Sequence, residues 1–136
     1  MSALLDTGFL LAVIAENDPQ HALCVQSLRQ ERGVLLPDVV LPELAYLVLR
    51  DMDHLTLARF LRSVGAGKVD TAATTPADLL RAADLLEQYA DSRVDFVDCV
   101  IVAVAERRGI TRVLTIDRRH FALFRPRHCP AFEIVP

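Results

Sequence analysis

Short apolar runs alternate with longer helical stretches along this 136-residue chain, and that alternation leaves few architectures open. Leu4-Leu5 and residues 34–36, 68–72, 112–116 and 132–135 each read as a brief buried strand, with 112–116 the clearest. Between them lie helical stretches at 9–16, from Asp18-Pro19 to about Arg32, from about Pro42 to Asp51, at 53–64, from Thr75-Pro76 onward, and from Asp95 to Gly109. Parallel strands need a long crossover between them, usually a helix. Strands spaced in this way predict a parallel sheet covered on both faces. The expected fold class is α/β, a three-layer α/β/α sandwich. No repeat or linker divides residues 1–136, so a single domain is expected.

Local signals sharpen some boundaries. Asp18-Pro19 reads as an N-cap with proline at the first helical position. Thr75-Pro76-Ala77-Asp78 adds an acid at the third helical position. Pro42 must lie in the first turn of its helix, because an interior proline breaks the backbone bonding. The helix opened by Thr75 is expected to bury Leu79, Ala82, Ala83, Leu86 and Tyr89 on one face.

Hydrophobic residues make up 52% of the chain, which argues against disorder. The longest apolar stretches, 9–15 and 96–105 (interrupted by Asp98), are far too short to span a bilayer. The N-terminus carries no basic region and places Asp6 in its first apolar run, so a cytoplasmic protein without a signal peptide is expected. Cys24, Cys99 and Cys129 form no Cys-x-x-Cys pair, which favours reduced, largely buried thiols over disulfides or a zinc ribbon. Charge is uneven: residues 1–105 hold eight basic and fifteen acidic side chains, whereas 106–136 hold seven arginines against three acids. Arginine forks suit phosphate, although a solvated helix face would read the same way.

Four carboxylates stand out against apolar surroundings: Asp6 after the first strand, Glu43 behind Pro42, Asp98 within the most apolar helix, and Asp117 after Val113-Leu114-Thr115-Ile116. Any one of them alone could be a helix cap. Together they are expected at one sheet edge, because strand C-termini and the helix N-termini that follow share the edge where ligands bind. Clustered carboxylates repel unless protonated or bridged by a cation. A hard ion held by oxygens, Mg²⁺ or Mn²⁺, is the natural neutraliser.

Leu5-Asp6-Thr7, Glu43 after Leu41-Pro42, Asp95-Phe96-Val97-Asp98-Cys99-Val100-Ile101, and Leu114-Thr115-Ile116-Asp117-Arg118-Arg119-His120-Phe121 resemble the successive acidic motifs of PIN-domain nucleases. Their order, spacing and total length are similar to the VapC-type toxins of bacterial toxin–antitoxin pairs. The resemblance covers essentially the whole chain. It implies a metal-dependent endoribonuclease that acts on RNA, a small antitoxin that silences it, and a homodimer. It also implies Asp6 and Asp98 as the main metal ligands, with Glu43 and Asp117 completing the catalytic pocket. Thr115 would orient a carboxylate or water, and Asp95, three residues before Asp98, would act as a cap or support behind the ligands. Arg112, Arg118 and Arg119 would hold RNA phosphates, largely without reading sequence.

Other readings fit less well. Gly65-Ala66-Gly67-Lys68 lacks the first glycine and the magnesium-binding hydroxyl of a phosphate loop. The four histidines have no metal-ligand spacing, and no Gly-x-Ser-x-Gly elbow is present. Asp6-Thr7-Gly8 lacks the second aspartate of haloacid-dehalogenase-like phosphatases. A receiver would need paired acids after its first strand and a lysine after its last core strand. A catalytically silent binding or regulatory module remains the alternative, and it differs from the nuclease in what its acids must do. The nuclease requires the carboxylates of Asp6, Glu43, Asp98 and Asp117 to line one pocket; coordinates with two of Asp6, Asp98 and Asp117 on opposite faces would overturn it.

Overall fold

β1 (Ser2–Leu5) is the middle strand of a five-stranded sheet, with Ala3, Leu4 and Leu5 almost wholly removed from solvent. The computed structural model describes residues 2–136. Beside β1 lie β2 (Gly33–Pro37) and β4 (Arg112–Leu114); β3 (Asp70–Ala72) and β5 (Glu133–Val135) form the edges. The order is β3-β2-β1-β4-β5, and every neighbouring pair is parallel. The helices are α1 (Thr7–Ile14), α2 (His21–Arg29), α3 (Val40–Asp51), α4 (His54–Gly65), α5 (Pro76–Gln88), α6 (Phe96–Arg108) and α7 (Arg118–Leu123), with one 3₁₀ turn at Ala90–Ser92. This is the expected α/β fold, a parallel sheet flanked by helices. Among the described residues, no helix is long and apolar enough to cross a membrane.

The chain moves one way across the sheet from β1 to β3, then reverses past β1 to β4 and β5. Right-handed crossovers therefore send the later helices to the opposite face. The packing agrees: α1 contacts α2 and α3, and α3 contacts α4, while α5 and α6 pack on each other. The strand order therefore reverses between β1 and β4, and the C-terminal ends at such a switch point are where sheets of this kind bind ligands.

α6 owes its position to its composition. Residues 97–105 are all buried, which suits a helix apolar on every side. Asp95 caps its first turn, and Gly109, in the left-handed region at φ 68°, ends it.

Several local expectations shift. Asp18-Pro19 does not open α2: the Asp18 carboxylate accepts from Gln20 N two residues on, at 2.8 Å, and this local turn delays the helix to His21. β3 begins at Asp70 rather than Lys68. On α5 the buried residues are Asp78, Ala82 and Leu85, whereas Leu79 and Leu86 are exposed. The rotation has an electrostatic cause. Asp78 closes the capping box with Thr75 and accepts from Arg107 Nε and Nη2 of α6 at 3.0 and 2.9 Å. Arg81 pairs with Glu106 in the same two-pronged way, at 2.7 and 3.0 Å. Two ion pairs thus choose which face of α5 meets α6.

Replacing Asp78 by alanine removes a cap and leaves Arg107, one-third exposed, without its carboxylate. A loss of about 2 kcal/mol is expected, measured as a lower urea midpoint at an unchanged denaturant slope.

Candidate active site

Parallel pairing of β1 with β4 builds the site. Leu5 lies opposite Leu114, and the amide of the next residue, Asp6, donates to Leu114 O at 3.0 Å. Asp6 and Thr115 therefore leave adjacent strand ends side by side. The Thr115 hydroxyl donates to Asp6 Oδ2 at 2.7 Å and accepts from Asp117 N at 2.9 Å. Asp6 Oδ1 accepts from Thr7 N at 2.7 Å, capping α1.

The other members come from helix starts. Asp98 lies in the first turn of α6, 3% exposed, and its amide donates to Asp95 Oδ1 at 2.8 Å. Asp95 is therefore the N-cap that shapes the turn carrying Asp98. Asp117 caps α7 by accepting from His120 N at 3.2 Å. The same turn points His120 Nδ1 at Asp98 Oδ2, 3.2 Å away, and at Asp117 Oδ2, 3.0 Å away. Ligand atoms of Asp98, Asp117 and His120 all lie within 4.8 Å of one another. Asp6 stands outside that trio, and Glu43, half-buried in the first turn of α3, lies near enough for its charge to act on both Asp6 and Asp98.

The electrostatics are those of carboxylates lacking a counter-charge. Burial, followed by the charges of Asp6, Asp95, Asp117 and Glu43, pushes the Asp98 carboxyl up to about 9. Burial raises Asp6 to about 6, opposed by its hydrogen bonds from Thr115 and Thr7. Among the described residues, no arginine or lysine pairs with Asp6, Glu43, Asp98 or Asp117. A set of carboxylate oxygens with one imidazole, without a fixed cation, fits a hard divalent ion.

Of the expected phosphate contacts, Arg118 and Arg119 lie exposed in the first turn of α7, next to Asp117, with the Arg118 guanidinium donating to the Pro136 carbonyl. Arg112 is not brought to the site. It starts β4, at the opposite sheet edge, where it pairs with Glu31 at 2.6 Å and Glu133 at 3.4 Å. Much of the C-terminal arginine excess is likewise engaged elsewhere: Arg107 holds Asp78, and Arg125 donates to the last carbonyls of α7. Conversely, His120 joins the site although the histidine spacing gave no ligand pattern. The available signal was Asp117 three residues before it at a helix start, a separation that puts both on one face.

The PIN-domain sequence profile matches residues 3–125. The chain is 30% identical over 136 residues to "Ribonuclease VapC26" of Mycobacterium tuberculosis, an alignment spanning 98% of this chain and 99% of that protein. The chain belongs to the PIN-domain family, as a VapC-type ribonuclease. Solved structures agree on the fold. VapC20 of Mycobacterium tuberculosis, described as a "Sarcin-Ricin loop cleaving toxin", superposes with a TM-score of 0.76 at 21% identity, over 82% of this chain and 86% of that one. VapBC-5 of the same organism, a member of the VapBC family of toxin–antitoxin systems, gives 0.59 at 26% identity, over 98% and 97%. PIN-domain nucleases are metal-dependent, and the acidic cluster of this PIN domain suits that chemistry.

The raised carboxyls make stability depend on pH in a definite direction. The folded chain keeps a proton on Asp98 up to about pH 9 and on Asp6 up to about 6, whereas unfolded aspartates release theirs near 3.8. Across that interval the folded state binds more protons, so stability falls as pH rises. In chelator-treated protein the unfolding temperature should drop steadily from about pH 5 to about pH 9. Asp98→Asn should flatten the profile and raise it at the alkaline end; a wild-type profile rising through this window would contradict the assignment.

Proposed function

We propose that this PIN domain is a magnesium-dependent endoribonuclease that acts in the cytoplasm as the toxin of a toxin–antitoxin pair. The observation that supports this reading is the gathering of Asp6, Asp98 and Asp117 near the C-terminal ends of β1 and β4, with no arginine or lysine among the described residues paired to them. Asp6 and Asp98 would hold the cation, Mg²⁺ or else Mn²⁺, with Asp117 and the His120 imidazole close enough to Asp98 to share it. Glu43 completes the acidic wall. When bound, such an ion supplies a Lewis acid for the phosphoryl oxygen and a water acidic enough to attack it.

The remaining work falls to the chain. Thr115 fixes the rotamer of Asp6 through its hydroxyl, and Asp95 holds the turn that aims Asp98. His120 Nδ1 lies between Asp98 and Asp117, within hydrogen-bond distance of both. Arg118 and Arg119 would bind flanking phosphates beside the acids, and RNA specificity would come from shape and base contacts.

The kinship with VapC ribonucleases supports a small antitoxin as partner. An arginine from that partner could enter the carboxylate cluster and stand in for the cation. Leu55 and Leu61 of α4 and Leu79 and Leu80 of α5 are exposed apolar side chains that such a partner, or a second copy of the chain, would cover.

Purified protein should cleave single-stranded RNA with added Mg²⁺ and lose this activity in chelator. Asp98→Asn should reduce the rate by at least about a hundredfold without loss of fold. Expression of the chain alone should arrest growth, and Asp6→Ala should relieve the arrest. Unchanged Mg²⁺-dependent cleavage by Asp98→Asn would sink this reading, and normal growth with abundant soluble wild-type protein would favour the silent binding module.

A further inference from the structure

Phe96 is the first residue of α6, between the capping Asp95 and the buried Asp98. It is 48% exposed, although residues 97–105 are all buried. Among the described residues it is the one exposed phenylalanine: Phe9, Phe121, Phe124 and Phe132 are buried and Phe60 is half-buried. It takes no part in the edge-to-face contacts that join Tyr89, Phe121, Phe124, Phe132 and His128 into one aromatic cluster. Ile116, also exposed, stands just before Asp117; a Cβ placed on Gly8, in the first turn of α1, would meet it at 3.2 Å. Two apolar side chains in water thus each adjoin an acid of the site in sequence.

We infer that Phe96 is a stacking platform for an unstacked nucleobase of the single-stranded RNA next to the cleaved phosphate. This rests on the ribonuclease reading above. An acidic cluster repels the phosphate backbone wherever a cation does not screen it, so an uncharged group that grips the substrate near the acids adds to whatever the arginines supply. Nucleobases offer such a group. Proteins that hold single strands stack bases on aromatic rings, and the contact tolerates any sequence because every base has a π-face. Phe96 is well placed for such a contact. It opens α6 one residue after the capping Asp95 and two before Asp98, so it stands at the same helix start as these acids. Arg119, exposed in the first turn of α7 two residues after Asp117, would supply positive charge for a neighbouring phosphate.

The test uses the full chain carrying Asp98→Asn, which binds without cutting, and a single-stranded oligoribonucleotide containing 2-aminopurine. Binding should quench the fluorescent base. Adding Phe96→Leu should weaken binding about tenfold and remove the quench, one base–aromatic stack being lost. The chain has no tryptophan, so Phe96→Trp introduces a single indole, which should keep the affinity and show quenched emission on saturation with RNA. Equal affinity and quench with Phe96→Leu overturns the inference, as does an indole emission unmoved by saturating RNA. Loss of antitoxin binding alone in Phe96→Leu, with RNA binding intact, overturns it too and assigns the ring to the protein interface. In otherwise wild-type protein, cleavage with an unchanged KM in Phe96→Leu defeats only this inference, whereas absence of both RNA binding and cleavage defeats the ribonuclease reading with it.

Discussion

The pairing of β1 with β4 is the constraint on which the rest of this molecule depends. It joins the first strand of the chain to one more than a hundred residues later, and it brings Asp6 and Thr115 to adjacent positions at the same sheet edge. Because the strands are parallel, both C-terminal ends lie at the same edge, and each is followed directly by a helix. The amide groups that open α1, α6 and α7 are capped by Asp6, Asp95 and Asp117. Asp6 and Asp117 therefore cap their own helices at the sheet edge where the acids gather, whereas Asp95 caps the turn that carries Asp98.

This double use creates a tension. Asp98 is nearly inaccessible and surrounded by acids, and its only ion-pairing partner among the described residues is His120. Burying several like charges is tolerable only with protons or a cation to offset them. The cost is met by the rest of the structure, above all by α6, whose continuous burial anchors the turn bearing Asp98, and by the paired arginines that clamp α5 onto it. Buried like charges with raised carboxyl pKa values, supported by a conventional core, are the pattern expected of a functional site.

The arginines show how far composition can mislead. Seven of them in the last 31 residues suggest a phosphate-binding face. Arg107 and Arg112 instead neutralise buried or half-buried carboxylates, and Arg125 closes the end of α7. Only tertiary structure distinguishes an arginine that faces a partner from one that completes the fold. Arg118 and Arg119 remain beside the acids because they fall in the turn after Asp117, a local relation that the sequence does carry.

By itself the sequence determined the α/β class, most helix starts and ends, and the identity of the acidic motifs, because each depends on short-range signals. Apolar runs mark strands, capping residues and prolines mark helix starts, and Gly109 marks a stop. Tertiary structure alone decided the rest. Asp18 spent its side chain on a turn instead of a cap, and the buried face of α5 runs through the ion-paired Asp78, Ala82 and Leu85 rather than through Leu79 and Leu86. His120 entered the site through a helix turn whose direction depends on how α7 packs, and Arg112 left it because a strand has two ends lying at opposite edges of the sheet. Sequence spacing encodes which residues can be neighbours along one element. Which elements meet, and which face each turns inward, is settled by burial and pairing across distances that no local pattern spans.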